Sequence, residues 1–157
     1  MISVERTADA AQIGRIITHP KIYRHMCDDG APSADGFDAA HWISGPANVA
    51  LLAIGDDGAA MSAFMASRVN DVTSEIYICI LPEYWDLSDQ IMGLSIEWVF
   101  ANTETRKLVF NVHEHNMFSF KLARRAGFSL EGVNRKSVMR KGKLVDLLVF
   151  GLCESDM

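Results

Sequence analysis

The first fifty residues alternate between apolar and polar positions in ways that predict one strand and two helices. Residues 2–5, "ISVE", alternate as a short strand does, and residues 7–18 place apolar side chains at helical spacing. A second short helix follows Pro20. Residues 28–47 keep no period and are predicted as a loop with one turn around residues 37–43.

From residue 48 onward the pattern changes to strands. Residues 48–69 hold two apolar runs around the turn "GDDG" and are predicted as an antiparallel hairpin, with a further strand over residues 73–81. Pro82 ends that strand, and the apolar spacing then predicts a helix over residues 86–102. The remainder predicts a strand, a helix and a closing hairpin over residues 107–113, 116–126 and 129–152.

This order of elements predicts an α+β fold, with about seven strands in a mixed, mostly antiparallel sheet and about four helices beside it. No linker, repeat or low-complexity segment interrupts it, so residues 1–157 are expected to form a single domain. The chain has 157 residues and is 49% hydrophobic, which is enough for one core.

The composition narrows the classes of protein to consider. A charged fraction of 22% is that of a globular protein, and no apolar run reaches the length of a membrane span. The N-terminal residues lack the basic segment and apolar core of a secretion signal. We therefore expect a cytoplasmic protein without a membrane partner.

The charges divide unevenly along the chain. Residues 1–100 hold five Lys or Arg against fourteen Asp or Glu, whereas residues 101–157 hold ten against six. The basic group comprises Lys121, Arg124, Arg125, Arg135, Lys136, Arg140, Lys141 and Lys143. It is either a surface that attracts a polyanion or a solvated helix face and hairpin tip. The basic group lacks the interleaved aromatic residues of proteins that bind single-stranded nucleic acid, so no nucleic-acid partner is expected.

The cysteines and histidines predict neither a disulfide framework nor a metal site. Cys27, Cys79 and Cys153 are odd in number and far apart, and none belongs to a Cys-x-x-Cys pair. His113 and His115 alternate near a strand end without a third ligand.

The segment "NMFSFKLARRAGFSLEGV", residues 116–133, is the most informative in the chain. Asn116 is placed to cap a helix and Gly127 to end it. The spaced residues that agree with a known pattern are Asn116, Ser119, Gly127, Phe128, Glu131, Gly132, Arg135, Gly142 and Asp146. Together they resemble the ribosomal-protein N-acetyltransferase branch of the GNAT superfamily of acetyl-CoA-dependent N-acetyltransferases.

The resemblance implies a GNAT-like fold and a site for acetyl-CoA between the strands at 73–81 and 107–113. Asn116 would turn its amide toward the cofactor from the start of the following helix. Backbone groups would hold the pantetheine arm near Cys79, Ile80 and Leu81. The acceptor would be a primary amine: a protein N-terminus, a lysine or a small amine.

The resemblance also implies two chemical roles. Glu75 would deprotonate the amine, which must lose a proton before it attacks, and Ser119 would protonate the departing thiolate. Many relatives use a Tyr for the second role, but Ala123 stands at that position. Two alternatives stay open: Glu75 as an exposed strand carboxylate, and Ser119 as a helix hydroxyl bonded to backbone.

The sequence departs from the family pattern where the diphosphate should rest. The family uses a glycine-rich turn whose amides face the phosphates at a helix N-terminus. Here the same stretch offers Ser88, Asp89 and Gln90, without a glycine, and the charges of Asp86 and Asp89 oppose a phosphate. On the other wall, Arg124 and Arg125 would help to neutralise it.

A second alignment of the motif places Gln90, Gly93 and Ser95 in the turn instead, but it would shorten the helix and break its apolar face. The first alignment is therefore preferred, with Ser88, Asp89, Gln90 and Arg124 as the predicted diphosphate contacts.

Two functions follow. The first is an acetyl-CoA-dependent N-acetyltransferase. The second is a catalytically degenerate GNAT-fold protein that binds a protein partner, loosely similar to GNAT-like proteins encoded by tailed bacteriophages among their virion-assembly genes. Fold alone does not choose between them.

Overall fold

The computed structural model describes residues 1–157, which form one seven-stranded sheet and five α-helices. The strands are β1 (Ser3–Arg6), β2 (Asn48–Ile54), β3 (Ala60–Arg68), β4 (Thr73–Ile80), β5 (Lys107–His113), β6 (Ser129–Arg140) and β7 (Lys143–Cys153). The helices are α1 (Ala10–Ile17), α2 (Pro20–Met26), α3 (Ala39–Ile43), α4 (Ser88–Asn102) and α5 (Met117–Arg125). None of these helices is long and apolar enough to cross a membrane.

The predicted α+β fold is confirmed. The strand order is β1-β2-β3-β4-β5-β7-β6, and only the β4–β5 pair is parallel. The structure has one helix more than expected, because the predicted turn at residues 37–43 contains α3. Asp38 explains this helix, since its side chain accepts the His41 backbone N–H at 3.0 Å and so caps the first turn.

The parallel strands β4 and β5 pair over only three positions, from Thr73 with Lys107 to Glu75 with Val109. Beyond Glu75 they separate. On their outer sides, β4 stays paired with β3 as far as Ile80, and β5 stays paired with β7 as far as His113. The gap between them is therefore held open by the sheet on both sides.

The sheet separates two apolar clusters. One lies beneath α4 and α5 and includes Phe64, Ile76 and Phe150. The other lies beneath α1, α2 and α3 and includes Ile16 and Cys79. Because side chains alternate along a strand, β4 sends Ile76 and Ile80 into the first cluster and turns Glu75, Tyr77 and Cys79 toward the α1–α3 layer.

The helix α5, which follows β5, begins and ends as predicted. Asn116 accepts the Ser119 backbone N–H at 3.1 Å and caps the first turn of α5. After α5, Gly127 adopts a φ of +92°, a left-handed conformation that suits glycine, and Phe128 packs back into the core.

Candidate active site

A cavity of about 480 Å³ opens where β4 and β5 separate. Its walls are the two strands, the helix α2, the first turn of α5, and two side chains of the β6–β7 hairpin, Val138 and Leu147. More than half of the lining side chains are hydrophobic, with a few polar groups among them. That composition is typical of a site that binds a small molecule.

Glu75 and Asn111 meet across the start of the gap. The Asn111 side-chain Nδ2 donates to Glu75 Oε1 at 2.8 Å, and both residues line the cavity. The bond orients the carboxylate from the neighbouring strand.

Burial, the negative charge of Glu75 and a hydrogen bond with Glu75 raise the pKa of Tyr77 to about 12, so this phenol stays protonated at neutral pH.

The first turn of α5 also lines the cavity. Asn116 and Ser119 both line the cavity, and the cap between them fixes the start of the helix there. Ser119 is therefore held in the first turn of α5, where it lines the cavity. The same cavity lining contains the Glu75–Asn111 pair.

The backbone of β4 faces the gap at every second residue. The Leu81 N–H donates to the Met61 carbonyl at 3.0 Å, which turns it toward β3. Because β3 and β4 pair without a register shift, the backbone groups of Ile78 and Ile80 point the other way, into the gap. The Ile80 carbonyl already accepts the Trp85 indole N–H at 2.9 Å.

Burial disfavours a nucleophilic role for the thiol of Cys79. Complete burial raises its pKa to about 12, with a smaller effect from Cys27, so the thiolate is not formed at neutral pH. Its sulfur lies 3.5 Å from that of Met26, and the side chain packs as a small apolar group at the cavity wall.

Two aromatic side chains line the cavity near α4. Trp85 and Phe118 have ring centroids 5.5 Å apart, and their side chains are 40% and 39% exposed. Trp85 lies in the 3₁₀ turn before α4, and Phe118 lies in the first turn of α5. The pair therefore spans the gap between the two helices.

The predicted diphosphate contacts do not line the cavity. Ser88 is buried and begins α4 directly after the 3₁₀ turn of residues 82–87. The Ser88 N–H bonds the Trp85 carbonyl, so it is already paired within the turn. Asp89 is held by Arg125 Nε at 2.7 Å, and Gln90 is exposed. Residues 90–95 lie inside α4, which excludes the second alignment of the glycine motif.

Arg124 and Leu81 are also outside the cavity lining. The Arg124 guanidinium lies over the Phe120 ring, 5.7 Å from its centroid, on the exposed side of α5. Leu81 is buried in the α1–α3 cluster. The predicted diphosphate contacts therefore lie outside the cavity, and at the N-terminus of α4, where a diphosphate is usually held, the Ser88 amide is already paired.

Three histidines line the far end of the cavity. The rings of His113 and His115 stack with centroids 5.5 Å apart and an interplanar angle of 19°, and His25 joins them from α2. Burial lowers the pKa of each of the three, and the positive charge of Arg140 lowers them further. No group of three or more His, Cys, Asp or Glu side chains is arranged to hold a metal ion.

The rim at this end is clamped to the hairpin. The Asp29 carboxylate accepts the backbone N–H groups of Lys141 and Gly142 at 2.7 and 2.9 Å, and the Asp29 N–H donates to the Met139 carbonyl at 2.9 Å. Arg140 donates to the Cys27 carbonyl at 3.0 Å. The loop after α2 and the β6–β7 hairpin, which line the cavity through Asp28 and Val138, are therefore tied to each other.

Solved structures with the same architecture identify the fold. No protein-family model matches this chain, and no curated protein matches its sequence. The spermidine N-acetyltransferase from Vibrio cholerae, in complex with CoA and spermine, is similar with a TM-score of 0.83 and 15% identity, over 99% of this chain and 96% of that one. An acetyltransferase of the GNAT family from Streptococcus pneumoniae has a TM-score of 0.73 and 19% identity, over 98% and 99%. The chain has the GNAT fold.

Within this GNAT fold, five of the residues predicted from the sequence share one cavity. These are Glu75, Cys79, Ile80, Asn116 and Ser119. The roles assigned to them, and the closer resemblances to the ribosomal-protein branch and to bacteriophage proteins, stay predictions.

Sequence reasoning missed Asn111 and the clustering of His25 with His113 and His115. The alternation in "KLVFNVH" carries part of that information, since it puts Asn111 and His113 on one face of the strand. What that face meets depends on which strand lies beside it.

Proposed function

We propose that this protein is an acetyl-CoA-dependent N-acetyltransferase that acts on a primary amine. The observation that carries the proposal is the cavity between β4 and β5, whose lining brings together the Glu75–Asn111 pair and Ser119. The similarity to a spermidine N-acetyltransferase bound to CoA and spermine supports it.

The acetyl donor supplies an activated thioester when it is bound. The backbone groups of Ile78 and Ile80 that face the gap can pair with the amides of the pantetheine arm, much as a free strand edge pairs with an added strand. Asn116 and Ser119, which line the cavity from α5, would contact the same end. Toward the diphosphate, Arg124 and Arg125 would supply positive charge in place of a glycine-rich turn, once Arg125 leaves Asp89.

Glu75 accepts a proton from the acceptor ammonium, and the resulting amine has the lone pair that attack on a carbonyl requires. Asn111 keeps the carboxylate in position by its bond to Oε1. The Ser119 hydroxyl donates a proton to the departing sulfur and is reprotonated from the nitrogen, either directly or through water. These steps leave Glu75 protonated and Ser119 unchanged.

The acceptor is a primary amine, and the candidates are a protein N-terminus, a lysine side chain and a small amine. The clamp of Asp29 on the hairpin tip favours a small amine, because it ties the loop after α2 to the hairpin beside the lining residues Asp28 and Val138 and so narrows that side of the cavity. An extended peptide would need that side open.

Calorimetric titration of acetyl-CoA into the purified protein tests the donor site, at low salt and at physiological salt. We expect a dissociation constant in the micromolar range. Binding should be weaker at physiological salt, because ions there screen the attraction of Arg124 and Arg125 for the phosphates. Absence of heat at millimolar acetyl-CoA, with the protein folded, would overturn the enzyme proposal.

An acceptor screen with Glu75→Gln tests the base. The variant should bind acetyl-CoA as the wild type does and lose about 100-fold or more in kcat, the usual contribution of a positioned proton acceptor. Glu97→Gln, on the exposed side of α4, is the matched control and should keep full activity. Equal rates for wild type and Glu75→Gln would remove Glu75 from the mechanism.

The second candidate is a GNAT-fold protein that binds a protein partner and does not use the cofactor. It is favoured by the turn before α4, where the Trp85 indole already bonds the Ile80 carbonyl and Asp89 already pairs with Arg125. The same calorimetry separates the two candidates. If Asp89→Asn, which removes a negative charge and releases Arg125, also fails to bind acetyl-CoA, the second candidate is supported.

A further inference from the structure

The cavity holds titratable side chains that the proposed chemistry does not use. His25, His113 and His115 line its far end, beyond the Glu75–Asn111 pair. Histidine side chains suit proton transfer, because their ordinary pKa lies close to neutral pH.

The two histidines at the end of β5 continue the line that Glu75 and Asn111 begin. Asn111 and His113 lie on the same face of the strand, about 7 Å apart along its axis at the usual rise per residue. The His113 ring, which is half-buried, then stacks on that of His115, which is exposed. One polar row therefore runs from inside the cavity to solvent.

The groups around this row keep its histidines neutral. Burial lowers the pKa of His113 and of His115, as does the charge of Arg140 from β6, while the His25 carbonyl from α2 raises both. Asp28, in the loop after α2, raises the pKa of His113; the charges of His113 and His25 lower that of His115. The net direction is downward for both, so each ring has a free nitrogen that can accept a proton at neutral pH.

The proposed reaction requires such an exit. An ammonium group that becomes an amide loses two protons, of which one ends on the departing sulfur and the other must reach solvent. That second proton sits on Glu75 after the attack, inside the cavity, and Glu75 must release it before the next turnover. The Asn111 amide positions the carboxylate but cannot carry a proton onward.

We propose that His113 and His115 form a proton exit from Glu75 to solvent, an inference that rests on the proposed acetyltransferase function. Through water in the cavity, the Glu75 carboxyl gives its proton to the free ring nitrogen of His113. Because the two rings are stacked, a second water carries the proton from His113 to His115, and His115 releases one to bulk water. The carboxylate and both neutral rings are restored, so the step is balanced and consumes no other reactant.

The test uses His113→Gln and His115→Gln in the full chain, with His41→Gln as the matched control. His41 lies on the exposed surface of α3, away from the cavity. Rates are measured with the amine found in the acceptor screen, from about pH 6 to about pH 9, with and without added imidazole. Acetyl-CoA affinity is measured for each variant by calorimetry.

His113→Gln should lower kcat by about 10-fold or more, without changing acetyl-CoA affinity. His115→Gln should have a smaller effect in the same direction, because its position is open to water. The wild-type fall in kcat at acidic pH, where the histidines become charged, should be weaker in both variants. Imidazole should restore much of the lost rate, as a mobile substitute for the missing ring, and should leave His41→Gln unchanged.

Three results would overturn the proposal. Variants with the wild-type rate over the whole pH range would remove the proton exit and leave the acetyltransferase function standing. A loss of rate that imidazole does not restore, with an unchanged pH profile, would make the histidines structural. A wild type that acetylates no amine would overturn the function, and the proton exit with it.

Discussion

At the scale of single residues, Asn111 shows how the candidate site depends on a partner that no motif names. Glu75 stands opposite Val109 in the parallel pair, and Asn111 follows two residues later on the same face of β5. That register lets its amide reach Glu75 Oε1 at 2.8 Å. The carboxylate and the group that orients it thus come from strands more than thirty residues apart in sequence.

Replacing Asn111 with Ala should slow the reaction without weakening the donor site. The carboxylate loses its fixed orientation, and misplacement of a catalytic group by a fraction of an ångström to one ångström lowers rates by about 10- to 100-fold. Steady-state kinetics would show this as a lower kcat, with acetyl-CoA affinity unchanged by calorimetry. Asn134→Ala, on the exposed part of β6, is the control. An Asn111→Ala variant as fast as the wild type would contradict the assignment.

At the scale of elements, the loop after α2 and the β6–β7 hairpin act as one unit. Asp29 holds the hairpin tip by two backbone N–H groups, and those bonds lower its pKa, with Gly142 contributing most and Lys141 next. Lys141 itself has a φ of +49°, an unusual conformation for a side chain other than glycine. The clamp therefore supports a tip whose backbone is not in a relaxed state.

Asp29→Ala should loosen this tip and expose it to trypsin. The tip contains Arg140, Lys141 and Lys143, and a protease requires an extended, mobile backbone at the bond that it cuts. We expect faster cleavage there in Asp29→Ala than in wild type, read by mass spectrometry of the fragments. Asp35→Ala, an exposed carboxylate elsewhere in the loop, should be cut at the wild-type rate.

The same clamp should depend on pH in the wild type. Because the pKa of Asp29 is lower in the folded protein, the clamp adds stability above the ordinary aspartate pKa of about 4 and loses it as the pH falls through the folded value. Hydrogen exchange at the Lys141 and Gly142 amides should rise on acidification relative to the intrinsic rate. Amides whose protection is the same at acidic and neutral pH would contradict the clamp.

At the scale of the whole molecule, one sheet supports both apolar clusters. Phe64 is fully buried on the α4 side and Ile16 on the α1 side, and the strands between them belong to a single continuous ladder. We propose that residues 1–157 unfold as one cooperative unit, because neither cluster can lose its helices without exposing the sheet that the other covers.

Truncations in either cluster should therefore lower the same transition. Phe64→Ala should cost about 3–5 kcal/mol and Ile16→Ala about 2–5 kcal/mol in the free energy of unfolding. Urea unfolding followed by fluorescence and by far-ultraviolet circular dichroism should give one coincident transition for each variant. Val69→Ala, at an exposed position after β3, should leave the midpoint nearly unchanged. Two separate transitions, with each variant shifting only one, would show two units.

The α+β class, the strands and four of the helices were predictable from the sequence, because the period of apolar residues and the capping groups act between near neighbours. Asn116 illustrates this, since its cap on Ser119 spans three residues. Glu75 and Ser119 were reached through a resemblance in spaced residues, and the structure adds that both line one cavity.

Other features were decided only by the tertiary structure. The bond between Glu75 and Asn111 and the pair of Asp89 with Arg125 each join residues 36 positions apart, and the clamp of Asp29 reaches across more than a hundred. The sequence pattern constrains which face of a strand is apolar, but not which strand lies beside it or where their pairing stops. Those choices follow from packing two helical layers on one sheet, and they create the gap between β4 and β5.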